Sequence, residues 1–104
     1  MLLAAVVSGL FGTVLRGPIT PLCDVDRACS KPAAGVKLTF LRHGRPVTSI
    51  VTSSTGRYRV RLLPGSYSVR AATASRIEHM RPTSVAVRRG VIARRNFFID
   101  TGIR

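Results

Sequence analysis

The sequence predicts an all-β domain: seven antiparallel strands packed as a two-sheet sandwich. Three observations carry this. Between Arg57 and Ala71, apolar and polar residues alternate with a period of two. Tyr58, Val60 and Leu62 oppose Arg57, Arg59 and Arg61, and Tyr67, Val69 and Ala71 oppose Ser66, Ser68 and Arg70. Turn-forming clusters recur roughly every eight to twelve residues, the spacing of short sandwich strands. Finally, Pro18, Pro21 and Pro32 exclude a helix interior or a central strand from residues 17–35.

With 104 residues, the chain makes one domain, assigned to residues 9–104. A domain of this size buries roughly 60–70 % of its unfolded surface. Its 45 % hydrophobic content sets it apart from disordered compositions.

Residues 1–8 (MLLAAVVS) have two readings: the tail of a secretory signal peptide, or the early start of the first strand. The run lacks a basic leading region and is too short to span a bilayer. Leu10 to Arg16 is the first strand, with Gly12 marking a bulge or a close backbone approach. Residues 17–35 form a loop that contains both cysteines, Cys23 and Cys29. A local disulfide fits an even cysteine count in a loop-rich segment of a small exported domain. Its closure contributes about 2–3 kcal/mol on the chain-entropy model. A redox site is the sharper alternative, but the spacing is not Cys-x-x-Cys. Zinc would need four ligands, and only His43 and His79 remain, each alone in the sequence. No metal or cofactor site is assigned.

Val36 to Arg42 is the second strand, with Val36, Leu38 and Phe40 inward. His43, Gly44, Arg45 and Pro46 make a turn, with His43 solvated. Val47 to Thr52 is the third strand. Ile50 is out of phase with Val47 and Val51, which a bulge or an edge position covered by the N-terminus would explain. Ser53 to Gly56 is a turn leading into the fourth strand. Leu63-Pro64-Gly65 then suits a type II turn that joins the fourth and fifth strands as a central hairpin. In residues 73–82, Ile77 and Met80 have helical spacing, and one short helical turn is expected over 76–80. Glu78 and His79 there lack a nucleophile or metal partner. Thr83 to Arg88 is the sixth strand, Arg89-Gly90 a tight turn, and Val91 to Asp100 the last strand. Arg95 falls on that strand's apolar face, at the sandwich edge with its head in water or paired with a carboxylate. Phe98 points the other way, where exposure would mark a partner contact.

Thr52-x-x-x-Gly56-x-Tyr58 followed by Leu63-Pro64-Gly65-x-Tyr67-x-Val69 resembles the carboxypeptidase regulatory-like domain family. Gly12-Thr13-Val14 and Ala34-Gly35-Val36 match that family's opening segments, and the likeness covers residues 10–72 best. It implies a transthyretin-like (prealbumin-like), Ig-like β-sandwich and a non-catalytic module. One departure is Thr55, where the family usually has Asp; threonine makes only a weaker turn bond.

Fifteen Arg and two Lys face Asp24, Asp26, Glu78 and Asp100, giving a net charge of +13. Such a chain attracts polyanions at low salt. The arginines are spread over many strands, so a merely solvated basic surface is the plain alternative. Three functions follow. The first is a secreted or cell-surface module that binds a protein or carbohydrate partner through the 18–34 loop and the 73–82 crossover. The second is a polyanion-binding protein using Arg59, Arg61, Arg88 and Arg94, which lacks an aromatic-interleaved basic stripe in its linear sequence. The third, an enzyme, has no supporting motif: neither Gly-x-Ser-x-Gly nor His-Glu-x-x-His occurs. Open sheet edges make a homodimer through edge strands one way to protect them.

Overall fold

The structure, a computed structural model, describes residues 7–17, 30–73 and 77–100. The fold is all-β, with ten strands and no helix among the described residues. These are β1 (Gly9–Gly17), β2 (Lys31–Pro32), β3 (Lys37–Arg42), β4 (Arg45–Val51), β5 (Arg57–Arg61), β6 (Gly65–Ala72), β7 (Ile77–Arg81), β8 (Ser84–Val87), β9 (Ile92–Arg94) and β10 (Phe97–Asp100).

β1 is the hub. On one edge its first half pairs antiparallel with β5 and its second half with β2. On the other edge it runs parallel to β9 and then to β10. From β10 the hydrogen bonding continues through β7, β6 and β3 to β4, and β8 pairs with the start of β6. The sheet is therefore mixed, which corrects the expectation of antiparallel strands alone. Alternation shows that 92–100 is extended, but it carries no information about strand direction.

The sheet curls into a half-barrel. Tyr58 of β5 lies between Phe40 of β3, at 6.4 Å between ring centroids, and Phe97 of β10, at 5.6 Å. Strands far apart along the hydrogen-bonded path thus meet inside. Leu10, Val14, Leu38 and Ile99 complete the fully buried centre. Inward residues are those that alternation selects, including Val36, Val60, Tyr67, Val69 and Ala71.

The predicted hairpin is a correction of greater consequence. β5 pairs with β1, whereas β6 pairs with β3, β7 and β8, and no ladder joins β5 to β6. The Leu63-Pro64-Gly65 link is a corner that carries the chain from one part of the sheet to another. Gly65 has φ +151°, far from the roughly +80° of a type II turn, in a region open essentially to glycine alone. The Tyr67 hydroxyl donates to the Leu63 carbonyl at 2.6 Å and ties the corner to the strand that follows. This is the arrangement of a tyrosine corner.

The helical turn expected over 76–80 is also corrected, because 77–81 is the strand β7. Glu78 and Met80 point inward, while Ile77 is 77 % exposed. An inward carboxylate breaks the apolar alternation that would have announced a strand. Its charge is met by Arg16 of β1, at 3.7 Å.

Three smaller features bear on the turns and the edge expected from sequence. β4 is bonded only to β3 among the described strands, and its register slips opposite Phe40 and Leu41, leaving Val47 as the extra residue. That bulge and the edge position account for its poor alternation and tolerate Pro46. The preceding turn is shorter than expected, with His43 (φ +53°) and Gly44 (φ +76°) as its two central residues. Such paired positive φ values belong to a type I′ hairpin. The turn before β5 is held by Ser53, whose carbonyl and hydroxyl accept from the amides of Gly56 and Arg57. Thr55 adds only a hydroxyl contact to Ser53.

Thr52 explains its own place in the motif. Its buried hydroxyl donates to the Ala33 carbonyl at 2.5 Å and accepts from the Val36 amide at 2.9 Å. It clamps the Ala34-Gly35-Val36 turn onto the end of β4. Ser8 belongs to the fold as well: its hydroxyl donates to the Leu62 carbonyl, and the Leu62 amide donates back to the Ser8 carbonyl. Residues 1–6 and the Cys23–Cys29 segment lie outside the described residues.

Candidate polyanion-binding face

The outer face of β5, β1 and β9 gathers residues from three distant parts of the chain. In β5, alternation turns Tyr58 and Val60 inward and Arg57, Arg59 and Arg61 to solvent. In β1 it turns Leu10 and Val14 inward and Phe11 and Thr13 outward. Phe11 is 40 % exposed.

Register then sets the geometry. Phe11 stands opposite Arg59 on one side and opposite Arg94 on the other. Directly opposed residues in neighbouring strands project to the same face, with strands about 4.8 Å apart. The result is a cross-strand row, Arg59–Phe11–Arg94. Arg57, opposite Thr13, and Arg61, opposite Gly9, extend the basic flank along β5 at intervals of about 6.6 Å.

An open groove of about 930 Å³ follows this row. Phe11, Arg57, Arg59, Ile92 and Arg94 line it, together with Val51 and Ser53. Among the described residues, no carboxylate lines it. Elsewhere in the described residues, Glu78 is buried against Arg16 and Asp100 lies on β10, opposite His79. No described carboxylate therefore offsets the positive charge of the groove.

The row depends on a backbone device beneath it. Between β9 and β10, Arg95 and Asn96 step out of the ladder beside β1. The Arg95 amide donates to the Phe11 carbonyl, and the Asn96 side-chain oxygen accepts from the Thr13 amide. A Cβ on Gly12 would overlap the Arg95 carbonyl oxygen, so only glycine admits this approach. The Tyr58 hydroxyl donates to that same carbonyl at 2.5 Å from inside the fold. Burial pushes the Tyr58 hydroxyl well above its usual titration range, opposed by the Arg95 charge, so it remains a neutral donor. The step also turns Arg95 outward, off the apolar face that its sequence position suggested.

Of the arginines singled out from sequence, Arg59 and Arg94 meet in the row and Arg61 lies on the same strand face. Arg88 stands apart in the turn after β8, exposed and outside the groove lining. Phe98 is half-buried on β10 with the Arg81 guanidinium 5.6 Å from its ring centroid. His43 and His79 are both exposed, one in a turn and one on the outer face of β7. Sequence reasoning missed Phe11, Thr13 and Arg57. The available signal was phase: in the first strand Phe11 alternates against Leu10 and Val14, so it belongs with the arginine face.

A scan against models of protein families finds no match, and a search of curated proteins finds none.

Proposed function

We propose that this chain is a non-enzymatic binding module, a transthyretin-like two-sheet sandwich that holds an anionic polymer on the outer face of β5, β1 and β9. The single observation behind this reading is the Arg59–Phe11–Arg94 row, lying in a groove without carboxylates. Guanidinium groups bind phosphate and other oxyanions in a forked, charge-assisted geometry that ammonium groups do not match. The tyrosine corner at Leu63–Tyr67 and the Thr52 clamp support the sandwich, because both join segments that the family-like motif spaces apart. A loop-borne site has less in its favour, since residues 77–81 of the 73–82 crossover form a strand.

The test is a salt titration of binding to a labelled polyanion. Affinity should fall steeply as salt rises, and the slope of log K against log salt should shrink by about 0.7 for each phosphate-contacting arginine removed from a single-strand complex. Replacing Arg59 and Arg94 together by alanine should therefore cost more affinity and more slope than replacing Arg88 and Arg89 together, both exposed and outside the groove lining. A flat salt dependence, or equal losses from both variants, counts against the reading.

A further inference from the structure

We infer that the polymer is a single-stranded nucleic acid, with one base stacked on Phe11 and its flanking phosphates held by Arg59 and Arg94. The inference rests on the polyanion reading and adds the identity of the ligand.

The aromatic ring decides the class. Phe11 lies on a strand whose inward residues, Leu10 and Val14, are fully buried, so the core does not need it. Among the described residues, Arg42 covers Tyr67 and Arg81 covers Phe98, whereas the Phe11 ring has no such cap. An apolar ring standing open between two cations fits a ligand that is itself both flat and charged. A nucleotide meets both demands, since every base has a π-face and every linkage a phosphate.

Alternative polyanions use only part of the site. An acidic polysaccharide satisfies the arginines but offers the ring no planar partner. Duplex nucleic acid satisfies the arginines too, but its bases are stacked within the helix, so it offers base edges in its grooves and no open base face for the ring. Single strands leave bases free to stack on aromatic side chains while a basic groove follows the backbone. The groove is open to solvent rather than enclosed, so a strand can lie along it without threading. Its volume of about 930 Å³ is near the upper end of ordinary ligand clefts. Thr13 and Ser53 place neutral hydroxyls in its lining, able to donate to phosphate or base edges.

The experiment measures fluorescence anisotropy of a labelled oligothymidylate, of an abasic strand with the same number of phosphates, and of labelled heparin. The full chain and its variants are compared at one low salt concentration. Phe11→Ala and Phe11→Leu should each weaken oligothymidylate binding by roughly 5- to 150-fold, and Phe11→Trp should restore it. The abasic strand should bind the wild-type protein more weakly by a similar factor and be indifferent to Phe11→Leu. Phe11→Leu keeps an apolar side chain of similar size, so it separates loss of stacking from loss of fold.

If Phe11→Leu leaves oligothymidylate affinity unchanged while the Arg59 and Arg94 replacements weaken it, the stacked base is refuted and the polyanion reading stands. If Phe11→Leu weakens heparin as strongly as oligothymidylate, the ring does not act by stacking a base and the inference is overturned. If neither the ring nor the arginines affect binding of any probe, both readings fall together.

Discussion

The hydroxyl of Tyr67 and the carbonyl of Leu63, 2.6 Å apart, fix the point at which the chain leaves one part of the sheet for another. Everything before that corner from Arg57 onward pairs with β1, and everything after it to Ala72 pairs with β3, β7 or β8. Replacing Tyr67 by phenylalanine removes this bond and keeps the buried ring. The expected cost is about 1 kcal/mol. In a domain near this size that lowers Tm by roughly 4–8 °C. Gly65→Ala should cost more, about 1–3 kcal/mol, because φ +151° strains any side chain and its Cβ would meet the Arg42 guanidinium at 3.1 Å. Thermal melts of the two variants provide the check. A Gly65→Ala protein as stable as wild type would show that the corner has another backbone conformation.

Gly12 connects fold to function. A methyl group there collides with the Arg95 carbonyl, and the chain must yield between β9 and β10. Gly12→Ala should lose about 1–3 kcal/mol of stability, the usual range for overpacking. It should also weaken polyanion binding, because Arg94 sits opposite Phe11 only while β9 keeps its register with β1. Chemical denaturation together with the anisotropy assay tests both parts. Destabilisation with unchanged affinity would separate the groove from the backbone step beneath it.

Tyr58 predicts an alkaline limb in stability. Its hydroxyl ordinarily titrates near 10 and is pushed up in the folded protein, chiefly by burial. Above about pH 10 the unfolded chain releases this proton while the folded chain retains it. Stability supplied by the neutral hydroxyl is therefore complete below pH 10 and is lost as pH rises from there toward the folded value. Tyr58→Phe should be less stable than wild type at pH 7, having lost the bond to Arg95, yet flatter above pH 10. Denaturant midpoints measured from pH 8 to pH 11 give the comparison, and parallel curves for the two proteins would contradict the assignment.

How much of this was legible in the sequence differs residue by residue. Strands 57–61 and 65–72 were legible because side chains alternate there almost without fault. Their connection was not, since Pro64-Gly65 marks a break in either a hairpin or a corner, and only the partners of each strand tell them apart. β7 was misread because Glu78 points inward, and a carboxylate at a core position is intelligible only once Arg16 is seen beside it. The last strand was read as continuous because the step at Arg95 and Asn96 packs against Gly12, more than eighty positions earlier. The basic-aromatic row had the same difficulty in stronger form. Arg59 and Arg94 were candidates as separate charges, but their common neighbour Phe11 comes from the first strand, and no linear pattern places the three together.

The central position of β1 also has a bearing on how the chain is made. Of the described strands β1 is made first, but the partners for one of its edges are β9 and β10, the last of them. Those contacts span most of the sequence, a topology that slows folding because distant segments must be brought together before their pairing is rewarded. During synthesis β1 holds a row of unpaired amides and carbonyls with Phe11 beside them, the kind of surface on which nascent chains aggregate. Closure of that edge of β1, and of the groove with it, waits on β9 and β10.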